Sequence, residues 1–333
     1  MRIDTSVWKN FFEGKTLPEV QPLAHFETVT ALAAGPKGKL IFADASGNIF
    51  TLRNDFDPAI GLEAAEILHH THLGTVSKPD GTEQLKITSL ACNPSGTIVS
   101  IASRSTETKL INFEDPENPK ETSKKHPHNV VVTALVEDSR IGQSIQITAG
   151  NSKTISAIDC FTNKDFRKFE DHTATVTRLA ALQGCLFLSS STDKTVRLWD
   201  LRVNKAVRIF GGSDAPLAPL FATDSTGNCL VTASPKSTKL TAFDLNSGRI
   251  VASVPMKNTT PTSALAFGPE TRILATGTAE GINFLDLTLI PTRTRNKLIK
   301  LPSRPLCIRW ASPGNIVILD ATGTLQAVSF SVQ

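Results

Sequence analysis

A pattern that returns about every 40–45 residues constrains this chain more than any other feature. Taking the end of an apolar run as marker, equivalent positions fall at Leu52, Phe113, Ile158, Trp199, Phe243, Leu285 and Val328, with successive differences of 61, 45, 41, 44, 42 and 43 residues. The runs are short and rich in β-branched and aromatic residues. Gly, Pro, Asn, Asp and Ser bound them, which predicts strands and turns. A repeat of this length is one four-stranded unit that cannot bury its faces alone, so neighbours must stack. The period therefore predicts an all-β chain in which residues 1–333 form a single domain of seven stacked units. The 20 Gly and 19 Pro are scattered along the sequence, as many turns require.

The clearest unit runs from Asp171 to Arg202. Val176-Thr177, Leu186 to Ser189 and Thr195 to Trp199 read as strands, with Thr192-Asp193-Lys194 as the turn before the last. The spacing of His172, Ser189, Asp193 and Trp199 predicts one polar chain, running from indole to hydroxyl to imidazole to carboxylate. This pattern resembles the WD repeat. The resemblance implies a seven-bladed WD-repeat β-propeller in which these four residues hold a blade together and partners bind surrounding loops. Elsewhere the tryptophan position holds Phe, Leu, Ile or Val, and the turn aspartate becomes Ser46, Glu107, Ser152, Ser237 or Thr322. Those units are expected to hold by apolar packing.

The chain's two ends carry a further expectation. A fourth strand, Ala206 to Phe210, follows Trp199, but only residues 329–333 follow Val328. The segment at about residues 18–23 is predicted to supply the missing outer strand and close the ring, which removes open edges. His25 precedes Leu52 by 27 residues, as His172 precedes Trp199, which sets the first unit's register. Met1 to Pro18 lacks the apolar block of a secretory signal. No run of about 18 apolar residues predicts a membrane span.

Three segments interrupt the period. Arg53 to Glu83 is acidic, and its Ala59–Leu68 portion reads as a helical turn or an outer strand. His69-His70-x-His72 lies in it without a nearby cysteine or second histidine pair, so a solvated loop is expected and no metal site. Glu114 to His128, with Lys124-Lys125-His126, reads as an exposed loop of mixed sign. From Thr288 to Leu319 there is no acidic residue, yet Arg293, Arg295, Lys297, Lys300, Arg304 and Arg309 are present. Asn296 to Leu301 is predicted as the outer strand of the sixth unit, which places Arg293, Arg295, Lys297, Lys300 and Arg304 on the rim. Cations without interleaved aromatics suit an acidic protein surface better than nucleic acid. The plainer alternative is that they keep an edge strand hydrated. On one face of the ring, the residues before each turn are Ala45, Thr106, Asn151, Thr192, Lys236 and Ala321. Lys236 alone is charged there and joins the candidate contacts.

Motifs of catalysis are missing. The sequence has no phosphate-cradling Gly-x-x-x-x-Gly-Lys-Ser/Thr, no Gly-x-Ser-x-Gly and no His-Glu-x-x-His. Asp193, His172 and Ser189 are the residue types of a hydrolase triad, but the tryptophan spacing accounts for them structurally. Cys92, Cys160, Cys185, Cys229 and Cys307 form no Cys-x-x-Cys pair and read as small buried hydrophobes. The net charge of +4 gives no reason to expect nucleic acid.

Residues 87–287 also resemble, in order, the C-terminal propellers of the nemitin-like family of neuronal WD-repeat microtubule-associated proteins. Thr148-Ala149-Gly150 leading to Ile158-Asp159-Cys160, then Asp193 to Arg202, then Phe243-Asp244-Leu245 with Ser247 to Val251 carry this likeness. The N-terminal helical dimerisation motifs of that family do not match here. The likeness implies a cytoplasmic scaffold near microtubules, and the basic rim suits acidic tubulin tails. The expectation is a non-catalytic protein-interaction scaffold without cofactor, membrane span or nucleic-acid partner, its partners being tubulin or another acidic protein surface. The alternatives are a subunit of a trafficking or ubiquitin-ligase assembly, and an enzyme with a metal or nucleophile in the central channel.

Overall fold

The computed structural model describes residues 5–15, 18–22, 29–34, 40–52, 71–75, 87–115, 119–138, 142–211, 219–234, 239–256, 261–269, 272–287, 295–312 and 314–330. The described chain begins with helix α1 (Thr5–Phe12) and strand β1 (Glu19–Pro22). The first complete sheet is β2 (Val29–Ala34), β3 (Leu40–Asp44), β4 (Asn48–Leu52) and β5 (Thr71–Thr75). A seven-stranded sheet follows: β6 (Ser89–Cys92), β7 (Ile98–Ala102), β8 (Ser105–Asn112), β9 (Lys120–Asp138), β10 (Gln143–Gly150), β11 (Ile155–Asp159) and β12 (Asp165–Phe169). Three four-stranded sheets come next. They are β13 (Val176–Ala181) to β16 (Arg208–Gly211) through β14 (Leu186–Ser191) and β15 (Thr195–Asp200); β17 (Leu220–Thr223) to β20 (Ile250–Pro255) through β18 (Cys229–Ala233) and β19 (Lys239–Asp244); and β21 (Ala264–Phe267) to β24 (Arg295–Lys300) through β22 (Ile273–Thr278) and β23 (Gly281–Asp286). The last is β25 (Pro305–Ser312), β26 (Asn315–Asp320) and β27 (Leu325–Ser329), completed by β1 as its outer strand.

That completion is the closure expected of residues 18–23. Glu19 to Pro22 pair antiparallel with Ser329 to Gln326. The apolar clusters also run round the ring. Phe169 packs with Phe187 and Trp199 across one sheet junction, and Phe210 with Phe243 across the next. Val29, Leu40 and Phe42 of the first complete sheet pack with Val317, Leu319 and Leu325 of the last. Contacts between inner strands join β25 to β2, β2 to β6, β6 to β9, β9 to β13, β17 to β21 and β21 to β25.

The structure corrects the reading of Glu114–His128 as a loop. Lys120–Lys125 of β9 pairs with β8 as an outer strand, and Val130–Asp138 of the same strand pairs with β10 as an inner one. The backbone passes from rim to centre without leaving β geometry, so two units share one sheet. Charge misled the reading: on an outer strand the ladder is backbone to backbone, and lysine side chains can stay in water. Ala59–Leu68, His69 and His70 lie outside the described residues, while His72 falls within β5.

Two turns reveal carboxylates that the repeat alignment missed. In the tetrapeptides Asp44-Ala-Ser-Gly47 and Asp320-Ala-Thr-Gly323, the buried aspartate ends a strand and its side chain caps the turn. Asp44 Oδ1 accepts the Asn48 amide at 2.8 Å, and Asp320 Oδ1 accepts the Thr322 and Thr324 amides at 2.9 and 3.0 Å. Gly47 and Gly323, at φ 79° and 83°, supply the left-handed residue such turns need.

Helix α1 is a further finding. Eight residues cannot sustain a helix alone in water. Here Trp8 (5% exposed) and Phe11 (fully buried) enter the core between the last two sheets, against Phe284, Trp310 and Phe330. Trp8 lies 4.7 Å from Phe330 between ring centroids, and Phe11 5.5 Å from Phe284. Helix and β1 together make the N-terminal segment part of the ring. Deleting residues 1–22 should therefore lower the melting temperature sharply. Phe11→Ala alone should cost about 3–5 kcal/mol in denaturant unfolding, and a truncated chain that melts like the full one would refute closure by this segment.

Candidate functional site

The structure brings the four predicted polar residues together in the sheet of β13 to β16. Ser189 on β14 stands beside Trp199 on β15, because Phe187 pairs directly with Trp199 in that hairpin. Trp199 Nε1 donates to Ser189 Oγ at 2.7 Å, and His172 Nε2 lies 2.6 Å from the same oxygen. His172 Nδ1 lies 2.6 Å from Asp193 Oδ2. The carboxylate can only accept, so Nδ1 carries the proton and Nε2 accepts from the serine hydroxyl. Asp193 Oδ1 also accepts the Thr195 amide at 3.0 Å and its hydroxyl at 2.6 Å.

Burial pushes the His172 pKa below its ordinary value, with the hydrogen bond to Asp193 opposing. For Asp193, burial favours the neutral acid, yet the hydrogen bonds from Thr195 and His172 outweigh it and hold the carboxyl below the usual range. The site is thus a neutral imidazole against a carboxylate. Ser189 and Trp199 are fully buried and His172 is 1% exposed, so the hydroxyl cannot meet a substrate. Two thiols are held protonated by burial, Cys160 near 12 and Cys229 near 11.

The basic set divides. Arg295, Lys297 and Lys300 lie on β24, which is the outer strand of its sheet as expected. Arg295, Lys300 and Arg304 are exposed. Lys297 is committed to the helix: its ammonium donates to the Phe11 carbonyl at 2.5 Å and sits 4.5 Å over the Phe11 ring. Arg293 and Lys236 lie outside the described residues.

Sequence reasoning missed an apolar stretch of the rim. Phe161, Phe166, Val203, Val207, Ile209, Ile250 and Val251 are large and exposed, and all belong to the outer strands or outer turns of three successive units. Polar bridges join these units at the same level: the Arg167 guanidinium donates to Asn204 Oδ1, and Arg208 Nε to the Asn246 carbonyl at 2.8 Å. The signal was present in Ala206–Phe210, where Phe210 turns inward and Val207 and Ile209 are left outside.

Radially stacked antiparallel sheets, closed first to last around a channel, define an all-β propeller. Residues 163–200, from β12 to the end of β15, match the WD40 family (WD domain, G-beta repeat), and this stretch contains the polar quartet. Among curated proteins it is similar to the Set1 complex component swd2 of Schizosaccharomyces pombe, 26% identical over 166 residues, 48% of this chain and 44% of that one. It is also similar to the Polycomb group protein FIE1 of Oryza sativa subsp. japonica, 32% identical over 74 residues, 22% of this chain and 20% of that one. The chain thus matches less than half the length of these relatives. Among solved structures, a chain of the mitotic checkpoint complex superposes with a TM-score of 0.72 at 13% identity, covering 96% of this chain and 95% of that one. U3-55K superposes with a TM-score of 0.72 at 15% identity, covering 94% and 100%. These likenesses show the fold.

Two predictions follow from the polar groups. Ser189→Ala leaves the Trp199 indole and the His172 imidazole without their shared partner, and should cost roughly 1–3 kcal/mol for each group stranded in denaturant unfolding. Acid should weaken the fold from the ordinary histidine range downward. Burial and then Lys124 hold His126 down to about 4, with Asp165 opposing, and His172 is lowered too. From the ordinary 6.5 down to about 4, the unfolded chain therefore binds protons that the folded chain refuses, and stability falls as pH falls. Melting curves across this window should show the decline, and His126→Gln should flatten it.

Proposed function

We propose that this chain is a non-catalytic protein-interaction scaffold, a single seven-bladed propeller over residues 1–333, with the seven-stranded sheet counted as two blades sharing β9. The observation that carries the reading is the exposed apolar rim over three adjacent blades. Large apolar side chains exposed together on neighbouring outer strands favour burial against another protein. Arg208 and Arg249 flank Ile209 and Ile250 in sequence, so the partner segment presents apolar anchors among acids. The likeness to a Set1 complex component supports a place in a multiprotein assembly. The quartet's burial supports a structural role for the Ser, His and Asp in it.

A second reading rests on the exposure of Arg295, Lys300 and Arg304 along β24. It keeps the nemitin-like affinity, with acidic tubulin tails on this strand and a cytoplasmic location.

The readings separate experimentally. Ile209→Asp with Ile250→Asp should leave the circular dichroism and melting temperature of the protein unchanged and remove most partners from an affinity pull-down. Retention of the full set of partners would sink the apolar-rim reading. For β24, microtubule co-sedimentation should be salt-sensitive and should weaken when Arg293, Arg295, Lys300 and Arg304 become Ala; equal pelleting of variant and parent, or none by the parent, discards tubulin.

A further inference from the structure

Each outer strand of the ring leaves one backbone edge without a partner strand. Such an edge can pair with any extended chain that reaches it, and charged side chains commonly guard it. Strands β1, β12, β16, β24 and the outer part of β9 carry that guard, as in Glu19, Arg167, Arg208, Lys300 and Lys124. Among the described outer strands only β5 and β20 hold no Asp, Glu, Lys or Arg, and β5 contains Gly74, which weakens a strand. Strand β20 reads Ile250-Val-Ala-Ser-Val-Pro255. Its Ile250 is 64% exposed, the most of any large apolar side chain among the described residues.

The pairing with β19 decides which backbone groups β20 turns outward. Ala252, Ser253, Val254 and Pro255 stand opposite Ala242, Thr241, Leu240 and Lys239 in unbroken register, and a bulge ahead of Ala252 leaves Val251 over. Ala252 and Val254 pack into the apolar cluster of this sheet. Pro255 has no N–H, so it fits where the donor would face away from β19. Inward and outward residues alternate along an antiparallel pair, so the Ser253 amide faces away from β19 as well. At the other end the Arg249 carbonyl accepts the Asp244 amide at 2.9 Å, so Arg249 faces β19 and Ile250 faces out. The free edge therefore offers the N–H and C=O of Ile250 and Ser253, beside the exposed side chains of Ile250, Val251 and Ser253.

Cations stand at both ends of this neutral run. Arg249 precedes it and is exposed, and Arg208 reaches the turn before it, with Nε on the Asn246 carbonyl at 2.8 Å. Lys239 is exposed opposite Pro255. The carboxylate of Asp244 also lies in that turn, where it accepts the Ser247 amide at 2.6 Å. Two copies of β20 paired antiparallel would set Arg249 of each against the Lys239 end of the other, like charge on like charge. A strand with acidic ends meets attraction there instead. We propose that β20 takes up an extended segment of a partner protein as an added strand, the segment having β-branched side chains in its middle and acidic residues at its ends. This rests on the apolar-rim reading above and names the mode of binding.

The probe is a fluorescein-labelled synthetic peptide, Asp-Glu-Val-Thr-Val-Thr-Val-Glu-Asp, titrated with the full chain and read by anisotropy. Binding should saturate, and it should weaken with salt and when the peptide's acids become Asn and Gln. Two changes remove ladder hydrogen bonds and keep the apolar contacts. One is methylation of alternate peptide nitrogens, with one peptide for each of the two alternations; the other is Ser253→Pro in the chain. Ser253→Pro and one of the two methylated peptides should each weaken binding about tenfold, and Ser253→Pro should melt as the parent does. If it melts lower, the methylated peptides on the parent chain decide alone. Full affinity of both methylated peptides overturns strand addition, while loss of partners by the Ile209→Asp and Ile250→Asp variant would still uphold the rim. Absence of peptide binding by the parent overturns it too. So does dimerisation of the parent that Ser253→Pro abolishes, which would assign the edge to a second copy.

Discussion

A stack of sheets has two ends, and each end presents an apolar face and an unpaired edge to water. In this chain both problems are solved where β1 pairs with β27. The hydrogen bonds cover the edge of β27, and the packing of Phe42 and Leu40 against Val317 and Leu319 buries the face. Every other junction depends on that one, because a ring with one open junction leaves two sheets half covered. Helix α1 reinforces it from the adjacent junction, where Trp8 and Phe11 complete an aromatic cluster that β23, β25 and the C-terminal Phe330 leave open. Lys297 closes over this cluster.

Within the ring, polar and apolar solutions to the same packing problem coexist. The sheet of Trp199 links its strands by a buried chain of four polar side chains, each donor matched to an acceptor. The sheets around it place Phe243, Leu285 and Val328 at the marker position, each inside an apolar cluster. A complete polar network and a complete apolar one are both physically sound, and among the described residues of the apolar sheets Asn283 Nδ2, Asn315 Oδ1 and Gln326 Oε1 are buried without a partner. A network missing one member would be worse than either. Loss of the quartet elsewhere is therefore total in the marker residues, while Asp44 and Asp320 keep only the local task of capping a turn.

A propeller's surfaces fall into channel, faces and rim, and this chain distributes its chemistry unevenly among them. The rim carries exposed apolar groups over three units and cations on β24. The fold itself imposes neither feature of the rim.

Much of the architecture was legible in the residues. Short apolar runs at a steady period specify strands, because pairing is local and turn residues mark its limits. The position of Trp199 implied His172, Ser189 and Asp193, because hydrogen-bond matching leaves few arrangements of those four. The short C-terminal unit implied that residues near 18–23 must return to it. Other features were decided by tertiary contacts. Helix α1 exists because a gap between two distant sheets accepts Trp8 and Phe11, and eight residues carry no such instruction alone. The shared strand β9 reads as a charged loop until β8 is seen to pair with its lysines' backbone. Lys297 looks like its neighbours on β24 until Phe11 arrives beneath it. Sequence period reports how each segment pairs with the next, whereas which side chains meet across the ring depends on junctions between residues far apart in the chain, and only the closed structure brings those together.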